Sequence, residues 1–593
     1  MWAWKKPSRQ IGIAWAGLGG VLFLYALAAL SYAELPHSDE IDFVNQSTWI
    51  AERGIFSFLE ASFTGQYPFE NKHPGIPLLI SAVAERSPAG VRPMRFGALL
   101  LVLAMLGVLF WISRRRLGSS GALALITFLA LGHAWIVQAR QVLAEPLFYG
   151  AFFLCWRACC GTQCTPNRVR WGVAGALVGV AYLVKGSANL LLLALPPAVV
   201  LYALLNRWRP LHSVPESAPA GPAWTRGFLF QACLFVLFFA ACASPVLVNA
   251  ALKHGQPFYS QAGALMWMDD WSQIDEVLAG RLQPTFSDYM ARNGMPGLLR
   301  RVGSGLQLYA EHIPHLFHSS LPLSPFLSSL WVLLAAWGWW ALRGRWERVF
   351  TAVLLAVATL LYAFYAPIAE NNLRHVMTLC PVLLYLAILG ARDLWVRWWF
   401  GRRRTSRSAW RGWSRGAGLL APAALVGLAL YAVTPPAAAA RNGAWAAQNP
   451  ELYQVGPWIR WKDLAWPSTP LAASPGYLQL AEWMQVALVE RKEAAFQTEY
   501  LCPRHQVHWL LPEVPRLYNV PAVNDLVELS SLAEKLSVRY LVLEAPSWER
   551  RRKIFQPYIQ VRDGTLHVDL PGWRLVWADP DRPSTYFVFE RER

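Results

Sequence analysis

The chain is poor in charged residues. Only 15% of its 593 residues are Asp, Glu, Lys or Arg, whereas a soluble protein carries about 25%. It has eight cysteines in the whole chain, which excludes a small scaffold held together by disulfides. It also has no repeat of fixed period and is 55% apolar, which excludes collagenous and disordered chains. A membrane protein with several spans and some soluble mass remains.

Long apolar runs, in contrast, are abundant. They begin near residue 11 and recur to residue 435, and we predict eleven membrane-spanning helices from them. The predicted spans are 11–33, 93–112, 121–139, 142–156, 171–184, 188–205, 227–248, 321–342, 349–367, 376–392 and 416–435. The first run is longer than the about 7–15 apolar residues of a signal peptide, so we favour a retained anchor over a cleaved leader.

The basic residues indicate the orientation of these spans. The chain carries 54 Lys and Arg against 37 Asp and Glu, a net charge of +17. On a soluble domain this excess would suggest nucleic-acid binding, but here it lies in alternate loops, such as 114–116 and 402–404. We therefore predict no nucleic-acid partner. We predict a plasma (inner) membrane protein with a cytoplasmic N-terminus and an extracytoplasmic C-terminal domain.

The chain divides into two predicted domains. Residues 1–435 form an α-helical membrane domain with two long outer loops, 34–92 and 249–320. Long loops of this kind usually carry function. Residues 436–593 form a tail in which VRYLVLEA, WRLVWAD and TYFVFER are typical of short strands, after one amphipathic helix. We predict a small extracytoplasmic α/β domain.

The first outer loop carries the first candidate site residues. It opens with HSDEIDFV, which places Asp39 and Glu40 a few residues after the first span. Adjacent carboxylates suit a general base or a metal site, although acidic pairs are also common in solvated loops. The loop continues to QYPFENKHPG, with Glu70, Lys72 and His73 before a proline-broken apolar run. Lys72 is a natural phosphate contact, or a lysine that only reaches out to the membrane interface.

Three further charged residues fall at the outer ends of predicted spans. Glu145 lies in QARQVLAEPLFYG, at membrane depth, where an ionisable residue is a functional hypothesis by default. Lys185 lies in the short turn of GVAYLVKGSANLLLL, where burial of an ammonium requires a carboxylate or a lipid phosphate as partner. Arg374 lies in a short outer loop within ENNLRHVM.

In this order, these motifs resemble the C-type (GT-C) glycosyltransferases that use polyprenyl-phosphate sugars. The chain is most similar to the bacterial protein-mannosyltransferase-like group, which includes the lipid A aminoarabinose transferases. The resemblance covers about residues 1–395 and is best over 36–190. It implies a GT-C fold and a glycosyltransferase. The implied donor is a polyprenyl-phosphate-linked sugar, and the implied acceptor is a hydroxyl of a glycan, lipid or protein at the outer face of the lipid bilayer.

The resemblance also implies roles for the carboxylates. The essential Asp or Asp-Glu pair of the family falls on Asp39 and Glu40, and its second acid falls on Glu145. Asp39 would take the proton from the acceptor hydroxyl, and Glu40 and Glu145 would orient the acceptor or share a divalent cation. The second acid is often Asp in the family, so this chain departs from the pattern there.

The cations would contact the donor phosphate. The Lys-Pro-rich segment of the family falls on Lys72, its L-x-K-G turn on Lys185, and a later outer basic residue on Arg374. These charges would stabilise the leaving polyprenyl phosphate electrostatically. The aminoarabinose transferases usually read Lys-Pro-Pro in the first segment, whereas this chain reads KHPG, with His73 after the lysine.

A metal ion is a further expectation, with Glu70, His73 and His315 as candidate ligands. His315 is the middle histidine of HIPHLFH, which alternatively forms a polar rim at the membrane interface. A cysteine cluster over 155–164 matches no zinc or iron–sulfur spacing, so we do not expect a metal there.

Two other classes of protein remain open. A lipid-linked glycan ligase would rely on basic residues of its largest outer loop, and 249–320 contains Lys253, Arg281, Arg292, Arg300 and Arg301. A transporter or flippase would show paired charges near mid-membrane and broken helices repeated in two halves. The candidate charges of this chain lie instead toward the outer face, which favours chemistry there.

Overall fold

The computed structural model is a bundle of long helices followed by a small mixed sheet. The residues that it describes are 9–30, 39–69, 73–84, 91–130, 135, 138–139, 141–162, 168–208, 222–259, 263, 265–269, 273, 277, 284–316, 325–368, 375–402, 479–480, 483–497, 517–520, 523, 525–544, 554–562, 565–578 and 586–592.

Most of the helices follow the apolar runs of the sequence, and three lie within the predicted outer loops 34–92 and 249–320. In chain order they are α1 (Arg9–Leu30), α2 (Asp39–Phe63), α3 (Gly75–Ile80), α4 (Val91–Ala130), α5 (Glu145–Gly161), α6 (Arg168–Val184), α7 (Asn189–Trp208), α8 (Pro222–His254), α9 (Phe286–Leu316), α10 (Pro325–Trp340), α11 (Arg345–Tyr365) and α12 (Cys380–Arg402). Short 3₁₀ turns at Ser81–Val83, Gly186–Ala188 and Val376–Leu379 connect them. Gly118, with φ of 75°, interrupts α4 between two predicted spans.

The membrane-spanning character is confirmed. Within the described part of the chain, five helices are long and apolar enough to cross a membrane. These are Val91–Ala130, Gly186–Leu205, Phe230–His254, Arg345–Tyr365 and Val376–Arg397. The predicted spans 142–156 and 171–184 lie on α5 and α6, which have 17 residues each. The predicted span 416–435 lies outside the described residues, so the total of eleven stays a prediction.

Glycines allow the helices to pack closely. A Cβ atom on Gly338 of α10 would lie 1.7 Å from the Leu386 carbonyl oxygen of α12, and one on Gly390 would lie 2.1 Å from the Leu334 oxygen. These positions therefore accept no side chain, and α10 and α12 touch backbone to backbone. Small residues at helix contacts are typical of membrane bundles, where lipid tails are as apolar as the core.

Arg116 and Arg157 lie at one end of the bundle, which we call the arginine end. Both bind the same carboxylate, that of Glu347. Glu347 at the start of α11 is 4% exposed and accepts hydrogen bonds from Arg116 of α4, 2.7 Å away, and from Arg157 of α5, 2.5 Å away. Trp346 donates from Nε1 to the Cys159 carbonyl. Because charge buried here is paired and hydrogen-bonded, it fixes α4, α5 and α11 together.

The tail contains the predicted sheet. The strands are β1 (Ala494–Gln497), β2 (Leu517–Asn519), β3 (Val538–Glu544), β4 (Ile559–Arg562), β5 (Thr565–Val568), β6 (Trp573–Ala578) and β7 (Tyr586–Arg591). The helix α13 (Leu526–Lys535) and a π-helical segment at Gln485–Glu490, in the stretch expected to form an amphipathic helix, accompany them. The main sheet has the order β2-β1-β3-β7-β6, parallel on one side of β3 and antiparallel on the other. The three strands expected from sequence are β3, β6 and β7. The domain boundary at 435 lies outside the described residues and stays a prediction.

Candidate active site

The candidate site lies at the end of the bundle opposite the arginine end, which we call the site end. Glu40 in the first turn of α2 is fully buried and bound by Arg95 of α4, with Nε and Nη2 at 2.7 and 2.8 Å from its two oxygens. The backbone N–H of Val142 also donates to Glu40, over 2.9 Å. This carboxylate therefore joins α2, α4 and the segment before α5.

Three residues after Val142, Glu145 forms a second ion pair. The Lys185 Nζ lies 2.6 Å from Glu145 Oε1, and the two side chains are 20% and 5% exposed. Sequence analysis required an anionic partner for Lys185 and left a carboxylate or a lipid phosphate open. The carboxylate is present. One-fifth of the Lys185 side chain stays exposed, whereas Glu145 is almost fully buried.

Lys185 follows the end of α6 in an extended conformation, with φ of −159° and ψ of 133°. Two glycines bring the KHPG segment against this turn. A Cβ atom on Gly75 would lie 2.8 Å from Val184 Cα, and one on Gly186 would lie 2.7 Å from His73 Nε2. Residues 73–75 and 184–186, which belong to motifs 111 residues apart in sequence, therefore touch. A side chain at Gly75 would meet backbone atoms, and one at Gly186 would meet the His73 ring.

His73 lies in the loop before α3, outside the membrane-spanning segments. Burial, then the nearby Lys185 ammonium, lower its pKa to about 4, although a backbone hydrogen bond with Tyr182 opposes the shift. Its ring packs edge-on against Tyr182, with centroids 4.8 Å apart. The imidazole is therefore neutral at physiological pH.

An apolar cavity of about 450 Å³ lies along α11. Ala352, Leu355, Thr359 and Tyr362 line it on one face of that helix, over about 15 Å of helix length. The other lining residues are Tyr309, Trp331, Val332, Ala335, Ala336, Trp339, Val376, Leu379, Leu383, Leu386 and Ala387. Tyr362 lies close to Ser187, two residues from Lys185, so the cavity approaches the ion pair at the site end.

The second long loop is bound to the same end of α11 by Arg301 of α9. Its guanidinium donates three hydrogen bonds of 2.7 Å, to the carbonyl oxygens of Phe364, Met268 and Met266. It also lies 4.0 Å from the centre of the Phe364 ring. Lys253 donates to the Tyr67 carbonyl over 2.6 Å, and Arg292 pairs with an aspartate. These basic residues have protein acceptors.

The other predicted site residues are only partly described. Lys72, Glu70 and Arg374 lie outside the described residues. Asp39 begins α2, and His315 lies in α9, but the described structure does not extend to their side chains. Among the described residues no group of three His, Cys, Asp or Glu side chains is arranged to hold a metal ion. The metal site and its ligands stay predictions, as do the catalytic roles.

Sequence reasoning missed Arg95. The segment VRPMRFGALLL does carry a signal, since Arg92 and Arg95 sit one helical turn apart at the start of an apolar run and are 5% and 7% exposed. A buried arginine needs an anionic partner. Hydropathy alone did not indicate that the partner would be Glu40, because the two residues are on different helices.

A helical bundle with five membrane-length apolar helices among the described residues, paired charges at both ends and a small mixed sheet after it is a polytopic membrane protein. No family model and no curated protein sequence matches the chain. Among solved structures, ArnT from Cupriavidus metallidurans bound to undecaprenyl phosphate matches with a TM-score of 0.50 and 14% identity, over 98% of each chain. Its apo form matches with a TM-score of 0.49 and 15% identity, also over 98% of each chain. AglB, an oligosaccharyltransferase from Archaeoglobus fulgidus, matches with a TM-score of 0.46 and 11% identity, over 96% of this chain and 75% of its own. The match to the ArnT complex confirms the predicted GT-C fold.

Proposed function

We propose that this protein is a membrane glycosyltransferase that moves a sugar from a polyprenyl-phosphate donor to an acceptor hydroxyl at the outer face of the membrane. The observation that carries the proposal is the Lys185–Glu145 pair, with its partly exposed ammonium. The apolar cavity along α11 approaches this pair through Tyr362, which lies close to Ser187. A lipid phosphate needs both a cation and an apolar surface. The similar ArnT structure holds undecaprenyl phosphate, a lipid of this class.

The cavity suits the first isoprene units of such a lipid. Its walls are almost entirely alanine, leucine, valine and aromatic side chains, and it runs along α11 toward the arginine end. Removal of apolar surface from water contributes about 25 cal/mol per Å². A prenyl chain in this cavity would therefore add to the affinity while its phosphate stays at the site end near Lys185.

The proposed reaction is displacement at the anomeric carbon. Asp39, the first residue of α2, takes the proton from the acceptor hydroxyl as general base. The polyprenyl phosphate leaves as a stable anion, and Lys185, together with Lys72 and Arg374, stabilises its charge. Glu145 holds the Lys185 ammonium, and Glu40, bound by Arg95, anchors the helix on which Asp39 stands. A divalent cation at Glu70, His73 and His315 stays a separate hypothesis.

A lipid-linked glycan ligase is less well supported. That reading relies on basic residues in the loop 249–320. Arg301, Lys253 and Arg292 bind protein oxygens, Arg300 is exposed, and Arg281 lies outside the described residues. The transporter reading predicts paired charges at mid-membrane. The Lys185–Glu145 pair joins the end of α6 to the first residue of α5, at one end of the bundle.

Sugar transfer in proteoliposomes tests the proposal. The donors are labelled polyprenyl-phosphate mannose, glucose and aminoarabinose, offered with a crude lipid and glycan acceptor extract. Because a positioned base contributes about 10²–10⁴-fold, Asp39→Asn should lower turnover by that factor with normal expression. Glu52→Gln, which removes an exposed charge from the same helix, should retain turnover.

The outcomes separate the candidate functions. Transfer by the wild type that Asp39→Asn abolishes identifies the donor and supports the class. Normal turnover of Asp39→Asn removes Asp39 from the role of base. Absence of transfer from every donor, with folded protein and intact donor, rejects the proposal, and lipid-linked oligosaccharides then become the next substrates to test.

A further inference from the structure

His73 lies between the end of α6 and the turn that carries Lys185. Its ring packs edge-on against the Tyr182 ring, and the two ring centroids are 4.8 Å apart. On another side is Gly186, whose Cβ position would be 2.7 Å from His73 Nε2. A hydrogen bond also joins the imidazole to the Tyr182 backbone. The ring therefore contacts the residues three before and one after Lys185.

The proton on the imidazole can be assigned from these contacts. Nδ1 is buried and has no hydrogen-bond partner among the described residues, so Nε2 makes the bond to Tyr182. The N–H of Tyr182 lies inside α6 and is used by the helix. Its carbonyl is among the last four of α6, which ends at Val184, and such carbonyls lack helical partners. Nε2–H therefore donates to the Tyr182 carbonyl, as a cap on the end of the helix.

This cap influences the direction in which the Lys185 side chain points. Lys185 has left the helix, so the helix register no longer directs its Cβ. Its N–H still donates to the Ala181 carbonyl, over 2.9 Å, and its own carbonyl accepts from Ala188, over 3.1 Å. The position of the ammonium at Glu145 therefore depends on what holds the turn between Tyr182 and Gly186.

We propose that His73 is a positioning residue for Lys185: by capping the Tyr182 carbonyl and packing on Gly186, its imidazole sets the turn that holds the Lys185 ammonium 2.6 Å from Glu145. A neutral ring does this without repelling the ammonium. In the aminoarabinose transferases that the chain resembles, the segment usually reads Lys-Pro-Pro, and proline has no side-chain donor. The device is therefore one that this chain's own KHPG segment provides.

Amine labelling tests the position of Lys185 directly and does not depend on the proposed function. A small amine-reactive ester is applied to the detergent-purified protein, and modification of Lys185 is followed by peptide mass spectrometry. His73→Phe keeps an aromatic ring but removes the donor, so the Lys185 ammonium should leave Glu145 and label about tenfold faster. Gly186→Ala should do the same, because its Cβ displaces the ring.

His73→Gln is the matched conservative variant. Its amide N–H reaches about as far as Nε2 and can donate to the same carbonyl, so Lys185 should label at the wild-type rate. Lys253, which binds the Tyr67 carbonyl in a different part of the site end, is the internal reference. Its labelling should be the same in every variant.

A second measurement connects the turn to the donor and rests on the proposed function. Because Lys185 binds the donor phosphate in that proposal, His73→Phe should raise the Kd for undecaprenyl phosphate and the KM for the sugar donor about tenfold. It should change kcat less, and His73→Gln should restore both constants. A variant that merely lost folded protein would lower the apparent kcat and keep the wild-type KM.

The results distinguish two failures. Wild-type labelling of Lys185 in both His73→Phe and Gly186→Ala overturns the positioning role, as does labelling of His73→Gln that is as fast as that of His73→Phe. If His73→Phe does not fold, Gly186→Ala and His73→Gln still decide between these outcomes. Faster labelling in the expected variants, with a wild-type protein that binds no undecaprenyl phosphate, supports the positioning role and rejects the proposed function.

Discussion

At the scale of single residues, two buried ion pairs hold the site end together. Glu40 is enclosed by Arg95 and a backbone N–H, and Glu145 has Lys185. Loss of one partner from such a pair leaves the other charge buried, which is much worse than loss of both. The two pairs differ in exposure, because the Lys185 side chain is 20% exposed and the Arg95 side chain is 8% exposed.

A cycle of variants at this pair should separate stability from binding. Lys185→Met and Glu145→Gln should each lower the free energy of unfolding by about 1–3 kcal/mol, with the exposure of Lys185 reducing the effect. The double variant should recover most of this loss, because no charge remains buried, and yet should not recover donor binding. Thermal unfolding and undecaprenyl-phosphate binding measure the two properties. Recovery of binding in the double variant would contradict a phosphate contact at Lys185.

The pH dependence of stability should report His73. Its pKa is lowered to about 4 by burial and by Lys185, from an ordinary value of 6.5. Below pH 6.5 the unfolded chain therefore binds a proton that the folded chain does not. Stability should fall by up to about 1.4 kcal/mol per pH unit between pH 6.5 and pH 4, and should be unaffected by this group above pH 6.5. Thermal unfolding of the wild type and of His73→Gln over this range should show a steeper loss in the wild type. Equal slopes would show that His73 titrates normally.

At the scale of elements, Arg301 and apolar contacts together fix residues 266–268 of the second long loop to the end of α11. Arg301 of α9 binds three carbonyl oxygens, two of them in the loop and one near the end of α11. Met268 is fully buried beside Ile368, and Trp267 packs on Phe364 with centroids 5.2 Å apart. The loop therefore covers the end of α11, the helix that lines the cavity.

Arg301→Met should release this loop. Three carbonyl acceptors would lose charged donors, each such hydrogen bond contributing about 1.5–3 kcal/mol. We expect a lower Tm and faster limited proteolysis between 259 and 284, while Arg300→Met, which changes the exposed neighbour, should resemble the wild type. Arg301→Lys should behave like Arg301→Met, because one ammonium does not reproduce the planar guanidinium fork. Protection of the loop in Arg301→Met would show that its apolar contacts alone hold it.

At the scale of the whole molecule, the orientation in the membrane is still a prediction from charge. The basic loops indicate a cytoplasmic arginine end, which places the site end and the tail outside. The GT-C fold agrees with a site at one end of the bundle but does not determine which side of the membrane that end faces.

Cysteine labelling in intact cells should determine this orientation. Val527→Cys, at a residue of α13 that is 78% exposed, should react with a membrane-impermeant thiol reagent added outside. Arg115→Cys, at the exposed arginine beside Trp111, should react only after the membrane is permeabilised. The parent protein controls for the native cysteines. The reverse pattern would invert the topology and place the site on the cytoplasmic face.

Much of the membrane domain was evident in the sequence. The runs that became α4, α7, α8, α11 and α12 are local features of about twenty consecutive apolar residues, which need no partner to be detected. The strands β3, β6 and β7 were likewise readable from short β-branched and aromatic runs. The GT-C fold was predicted from the resemblance of the charged motifs, in their order, to a known family.

By itself, the sequence determined that a buried Lys185 must have an anionic partner, since an unpaired ammonium at membrane depth is too costly. Only the tertiary structure decided that this partner is Glu145, that Glu40 binds Arg95, and that His73 meets Gly186. The members of the two ion pairs are 40 and 55 residues apart. Hydropathy is a property of consecutive residues, whereas ion pairing depends on which helix ends the packing brings together.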